Sequence, residues 1–228
     1  MCGRYVIEDT ENAGEMRKIL TELKRHYSET HEYKQVRIGE VFPSDIAPII
    51  IPAKGDRIDA VPMKWGFNHS KGKGIVINAR SEGINQRYMF KNAIINRRCI
   101  IPTNGFYEWQ KYDDGRKSEK YLIKKESSPM LYLAGIYDNF IDSKTGKSQV
   151  QFVIITRESW GLMRSLHSRM PVHVEKKDIL KWLNGNESHV EEIFNSEMPE
   201  YLLKNVTMQN NNFEINSDNN DIEEGSYT

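Results

Sequence analysis

Arg97-Arg98-Cys99-Ile100-Ile101-Pro102, then Asn104-Gly105, then Phe106-Tyr107-Glu108-Trp109 sets the architecture. The first six residues predict a buried strand that stops at Pro102, because proline brings no amide hydrogen to a ladder. Asn-Gly is turn chemistry. The aromatic run beyond it resumes an extended segment.

Working outward, residues 111–118 are rich in turn formers and predict a hairpin tip, and 121–123, 130–137 and 151–156 carry further strand patterns. Upstream, the patterns at 2–7, 47–51, 58–65 and 75–77 are extended. Residues 10–27 are helical, with Thr10 as the expected cap and Met16, Ile19, Leu20 and Leu23 on one face. Helical character is also expected in part of 81–96, at 159–166, at 176–183 with Trp182 inward, and at 187–194. Many short strands and few helices predict an α+β single domain over residues 1–207, built on a curved, mostly antiparallel, barrel-like sheet with flanking helices. Residues 208–228 are expected to form a disordered tail, being rich in Asn and acids and poor in apolar residues.

The 228-residue chain has room for a full hydrophobic core. Its two cysteines, Cys2 and Cys99, exclude a disulfide framework and a four-cysteine zinc site. No histidine pair has the spacing of a metal site, so neither metal nor cofactor is expected. Histidines 26, 31, 69, 173 and 189 are placed in charged or loop surroundings. No basic leader precedes an apolar core, and no apolar run reaches the ~18 residues of a membrane span. A reducing, cytoplasmic setting fits. Net charge is zero. The five acids of the tail, with no Lys or Arg there, leave residues 1–207 at +5. Neutrality therefore does not exclude a polyanion, but it argues against binding driven by charge alone.

The chemistry begins at Met1-Cys2-Gly3-Arg4. Removal of Met1 makes Cys2 the N-terminus, with an α-amine and a thiol on adjacent carbons. An aldehyde can condense with the amine, and the thiol can close a thiazolidine ring. The plain alternative is a buried cysteine acting as a small hydrophobe. Glu108, between Tyr107 and Trp109, is a carboxyl whose desolvation raises its pKa and lets it hold a proton near neutrality; the alternative is a glutamate on the wet face of an edge strand. His167 can exchange a proton at cellular pH or serve structurally. Asn78 can orient a nucleophile or an aldehyde oxygen or simply form a turn. Arg4, Arg80 and Arg169 each lie two residues past Cys2, Asn78 or His167, the interval at which a strand repeats its facing. Converging guanidiniums would hold phosphate; dispersed ones are ordinary surface.

Cys2-Gly3-Arg4, Trp65-Gly66, Asn78-Ala79-Arg80, Arg98-Cys99-Ile100-Ile101-Pro102, Gly105-Phe106-Tyr107-Glu108-Trp109 and His167-Ser168-Arg169-Met170-Pro171, in that order, resemble the SRAP family (SOS response-associated peptidase domain). The resemblance implies an enzyme of the DNA damage response that shields abasic sites in single-stranded DNA by a covalent thiazolidine through the N-terminal cysteine. Lyase and autoproteolytic activities go with it, the latter exposing Cys2. Carried over by position, Cys2 is the nucleophile, Asn78 orients it and the sugar, Glu108 supports Schiff-base chemistry and ring opening, and His167 gives or takes a proton. Arg4, Arg80 and Arg169 match phosphate-contacting positions, and Pro43 and Thr156 match positions lining the DNA groove. The expected partner is single-stranded DNA with abasic sites, met by a cytoplasmic monomer without membrane or metal.

Two departures are visible. Family members commonly carry a Pro and a Trp soon after the Trp-Gly pair, where this chain has the basic loop 68–74 with Lys71 and Lys73. Lysine contacts to phosphate would replace base stacking there. No DNA contact is carried onto Arg87. Two other function classes stay open from the residues alone: an N-terminal-cysteine amidohydrolase, which also begins Met-Cys-Gly and could use Asn104-Gly105 at an oxyanion, and a non-covalent single-strand binder in which Cys2 is incidental.

Overall fold

The computed structural model describes residues 2–10, 13–69, 74–110, 112, 116–141, 146–197 and 199–207. Met1, the tail 208–228, residues 70–73 of the loop 68–74 and residues 111 and 113–115 of the tip 111–118 lie outside that set. In chain order the strands are β1 (Arg4–Ile7), β2 (Gly39–Val41), β3 (Ile46–Ala53), β4 (Arg57–Trp65), β5 (Phe67–Asn68), β6 (Ile75–Val76), β7 (Asn78–Arg80), β8 (Arg98–Thr103), β9 (Gly105–Gln110), β10 (Glu119–Lys125), β11 (Leu131–Ile141), β12 (Ser148–Glu158), β13 (Arg169–Pro171) and β14 (Tyr201–Asn205). The helices are α1 (Gly14–Tyr27), α2 (Lys91–Asn96), α3 (Ile179–Asn184) and α4 (Glu187–Phe194).

The strands form two main sheets. One runs β14-β10-β9-β1-β2. The other contains the order β11-β8-β3-β4-β12, and β11 also pairs with β12, so these five strands close on themselves as a barrel. Closure removes exposed edges. The architecture is the expected α+β one; among the described strands the pairing is antiparallel except where β12 runs parallel to β4 and to β7.

The Asn104-Gly105 turn does something a turn signal does not reveal. β8 belongs to the barrel and β9 to the open sheet, so the turn carries the chain from one sheet into the other. Asn104 is fixed there, its Oδ1 accepting from Glu8 N at 2.7 Å and its Nδ2 donating to Pro129 O at 2.9 Å. The strand also runs one residue past Pro102, to Thr103, whose hydroxyl donates to Val6 O at 2.7 Å. The two sheets share a core: Tyr5 of β1 meets Trp65 of β4 at 5.1 Å, and Trp65 stacks on Phe152 of β12 at 6.3 Å.

Several expected elements take other forms. Thr10 does not cap α1 with its side chain; Ala13 holds the cap position, and its N–H donates to the Thr10 carbonyl at 3.0 Å. Within 81–96 only a 3-10 turn (Ile84–Gln86) and α2 are helical, and 159–166 holds a 3-10 turn, Gly161–Ser165. The expected strand 75–77 is interrupted at Ile77, whose carbonyl accepts from Trp65 Nε1 at 3.0 Å and from Ile154 N at 3.1 Å. That double capture moves the chain from its pairing with β5 onto β12. Gly66 makes the matching bend at φ +111°, and a Cβ there would stand 2.8 Å from Ile75 Cδ1.

Arg98 explains a buried cation in a core strand. Its guanidinium donates to the carbonyls of Ile94 and Ile95 at the end of α2 and to those of Trp182, Leu183 and Gly185 at the end of α3. Helix C-termini leave carbonyls without partners, and one arginine satisfies two of them. Burial lowers the Arg98 pKa.

Candidate functional site

β1 is flanked by β2 and β9, and β9 by β1 and β10. Cys2 lies two residues before the start of β1 and is fully buried. Its thiol lies 3.8 Å from Arg4 O. Burial pushes the thiol well above the ordinary cysteine pKa, and the negative charge of Glu108 raises it further. At neutral pH the group is therefore a thiol, so sulfur attack has to be coupled to loss of its proton.

Glu108 is buried at 3% exposure on an interior strand, which excludes the wet edge-strand alternative. Burial raises its carboxyl above the usual range. The strand pattern accounts for its facing: Phe106 and Glu108 are two residues apart, with Tyr107 and Trp109 on the other face. Asn78 reaches the same place from the barrel. β7 lies parallel to β12 with Asn78 opposite Ile154, and Asn78 Nδ2 donates to Cys2 O at 3.0 Å. Its Oδ1 is buried without a hydrogen-bond partner among the described residues. Cys2, Asn78 and Glu108, far apart in sequence, thus meet where the two sheets join.

His167 follows the 3-10 turn and precedes β13. Its Nδ1 accepts the Arg169 backbone N–H at 2.9 Å, which puts the proton of a neutral ring on Nε2. Arg169 Nη1 and Nη2 bind Glu82 at 2.8 Å each, Nη2 also donates to Thr156 O at 2.6 Å, and Nε is buried without a partner among the described residues. Hydrogen bonds from Arg169 draw the Glu82 carboxyl down to about 2. Arg80 is exposed and sits opposite Thr156 on β12, whose side chain is fully buried.

Arg4 belongs to a second cluster. Its guanidinium lies 3.8 Å from the Phe42 ring and 3.0 Å from Glu40, which also holds Lys120 at 2.8 Å. Phe42-Pro43-Ser44-Asp45 is a turn with Asp45 N donating to Phe42 O at 3.0 Å, Pro43 at its second position and Ser44 at φ +77°. Arg4 and Pro43 are neighbours through Phe42, as Arg80, Thr156 and Arg169 are through β12.

Sequence reasoning missed four residues here. Glu40 and Glu82 are the counter-charges of Arg4 and Arg169, and nothing in their local pattern announces them. Tyr5 and Tyr201 are buried phenols whose hydroxyls have no partner among the described residues. Burial raises the pKa of both. His173, expected in a charged or loop setting, is instead 3% exposed in the core, with Nε2 3.0 Å from Glu175; burial brings its imidazole down to about 4. No group of three His, Cys, Asp or Glu among the described residues could hold a metal ion. None of the described helices is long and apolar enough to cross a membrane.

A family model described as SOS response associated peptidase (SRAP) matches residues 1–216. Abasic site processing protein YoqW of Bacillus subtilis is 32% identical over 158 residues, which span 64% of this chain and 69% of that protein. Abasic site processing protein YobE of the same organism is 35% identical, over 64% of this chain and 70% of its own length. Abasic site processing protein HMCES of Mus musculus is 29% identical over 60% of this chain and 48% of its own. A crystal structure of a Bacteroides thetaiotaomicron protein superposes with a TM-score of 0.70 at 22% identity, covering 89% of this chain and 91% of the other. That last likeness concerns the fold alone.

Proposed function

The chain belongs to the SRAP family, and from that premise we propose that it processes abasic sites in single-stranded DNA by capturing the open-chain sugar aldehyde covalently at Cys2. The observation that carries the reading is the meeting of Cys2, Asn78 and Glu108. A thiol, an amide that holds the backbone of the thiol's residue and a carboxyl shifted upward by burial are what a 1,2-aminothiol trap requires.

The steps balance as follows. With Met1 gone, the Cys2 α-amine adds to the aldehyde carbon. The carbinolamine oxygen leaves as water, with Glu108 as the proton donor, the nitrogen's proton returns to the Glu108 carboxylate, and a C=N bond remains. The thiol sulfur then adds to that carbon while its proton passes to nitrogen, closing the ring with a net loss of one water. Holding the thiol protonated and buried keeps it from disulfide exchange until an imine is in place. His167, with a proton on Nε2, serves formation and reversal. Arg4, Arg80, Arg169 and Pro43 line the path of the strand, the fully buried Thr156 supports Arg169 from beneath through its carbonyl, and the lyase chemistry runs through the same imine. In this reading Met1 is released at the chain's own site, in keeping with the peptidase in the family's name.

The test is a denaturing gel of the protein with a single-stranded oligonucleotide bearing one abasic site, beside its Cys2→Ala variant, with the N-terminal mass measured. A heat-stable shifted band that needs Cys2 is expected from protein lacking Met1. Full crosslinking by Cys2→Ala would overturn the proposal, as would release of ammonia from glutamine by the processed protein without any band.

A further inference from the structure

Beside the Arg169–Glu82 pair lies a cavity of about 500 Å³ that the proposed chemistry does not use. Ser81 and Glu82 form one wall, the end of β12 and the following residues a second, and the C-terminal turn of α4 a third. Trp160 stands in it 38% exposed. One face of its ring is occupied: the Arg157 guanidinium lies 3.7 Å from the ring centroid. Arg157 is itself 3% exposed and clamped, with Nη1 donating to Phe194 O at 2.6 Å and to Ser196 O at 2.8 Å. The indole thus rests on a rigid cationic support, and its exposed remainder borders the cavity.

Two further groups at this site are unsatisfied. Arg157 Nε and Nη2 and the Ser159 hydroxyl are buried without hydrogen-bond partners among the described residues, and both residues line the cavity. Buried polar groups are ordinarily paired. The rim carries Glu158 and Glu191 besides Glu82, against one exposed cation, Arg164, so its charge balance disfavours a phosphate. A neutral planar ring with an amine donor would not be. It would gain stacking on indole and carboxylates to accept its N–H groups.

We propose that this cavity binds an unpaired nucleobase of the strand flanking the lesion, stacked on Trp160, with preference for bases carrying an exocyclic amine. The inference rests on the proposed single-stranded DNA substrate and adds a base site to it. Its position supports this: Ser81, in the cavity wall, directly follows Arg80, and Glu82 pairs with Arg169. A backbone held at those arginines would bring an adjoining nucleotide to the cavity mouth. The site also offers an aromatic platform in a chain whose loop 68–74 lacks one.

The experiment uses single-stranded oligonucleotides with a tetrahydrofuran abasic analogue, which cannot crosslink, and 2-aminopurine placed at each flanking position in turn. Stacking on Trp160 should quench the fluorescence at one position. Trp160→Ala should abolish the quench and weaken binding roughly tenfold, while Trp160→Phe restores part of both. Crosslinking to a natural abasic oligonucleotide at saturating concentration is read in parallel and should survive in all three proteins, which also shows that the variants fold. Crosslinking with a quench that ignores Trp160 overturns the base site alone. A Trp160-dependent quench without crosslinking supports the base site and removes the covalent chemistry. Neither signal overturns both.

Discussion

Asn78 Nδ2 donates to the carbonyl oxygen of Cys2 at 3.0 Å, across 76 positions of sequence. β7, a strand paired to β12 of the barrel, thereby fixes the backbone of the residue two places before β1 of the other sheet. Asn78→Ala should cost about 1 kcal/mol of stability, the usual net value of such a bond, and slow adduct formation by an order of magnitude or so if backbone placement matters as general orientation effects suggest. Asn78→Asp should do worse, since a carboxylate repels that carbonyl. Denaturant unfolding and single-turnover crosslinking read the two effects separately; a variant with normal rates would detach Asn78 from the chemistry.

Glu108 has a carboxyl raised by burial. A raised acid stabilises the fold below the ordinary carboxylate pKa, and that contribution is lost as pH climbs through the raised value. Glu108→Gln should flatten stability over this window. It should also cut borohydride trapping of the imine by roughly a hundredfold, the low end of general acid–base contributions. Undiminished trapping would remove Glu108 from the imine step.

Glu82 behaves in the opposite sense. Its carboxyl is drawn down to about 2 by Arg169, so its contribution is present above the ordinary carboxylate value and fades as pH falls toward 2. The carboxylate is half exposed, which limits the pair to less than about 1 kcal/mol. Its larger effect should be on DNA. Glu82→Gln frees the Arg169 fork, and binding of single-stranded DNA should tighten with a salt dependence steeper by about one counterion. Titrations at several salt concentrations would show an unchanged slope if Arg169 never meets phosphate.

His167 accepts the Arg169 N–H at Nδ1, so a neutral ring carries its proton on Nε2. His167→Ala should slow both formation and reversal of the adduct, each measured by quench on a denaturing gel. Unchanged rates in both directions would make the ring a structural support of β13.

His173 sets an acid limit on stability. It is neutral in the fold, with an imidazole brought down to about 4 chiefly by burial and with Glu175, Lys125 and Arg157 facing it. Unfolded histidine binds its proton near 6.5. Stability is therefore full above that pH and declines as pH falls toward 4, by roughly 3 kcal/mol in all. His173→Gln should shrink this acid limb, which thermal unfolding between pH 7 and 4 would detect.

The legible parts of the molecule are those whose chemistry is local. The α4 periodicity, the β3 and β4 hairpin and the aromatic setting of Glu108 can all be read from neighbours in sequence. The Cys2 α-amine and thiol are a covalent fact. What could not be read depends on distant partners. β2 and β14 are short and take their partners from distant strands, β2 from β1 some 30 residues earlier and β14 from β10 some 80 residues earlier. Tyr201 acquires its burial, and Glu82 its role, only through such pairings. His173 looks like a loop residue until Leu133 pairs with it across a single bridge.

The passage of the chain between sheets at Asn104-Gly105 has a consequence in time. β1 finds its neighbour β9 through Arg4 opposite Tyr107, about a hundred residues downstream. At ribosomal speeds of 5–20 residues per second, the N-terminus waits roughly 5–20 s before that partner exists. Throughout this interval Cys2 is uncovered. Removal of Met1 by an outside aminopeptidase belongs to those seconds. Removal by the chain's own site can begin only after they end.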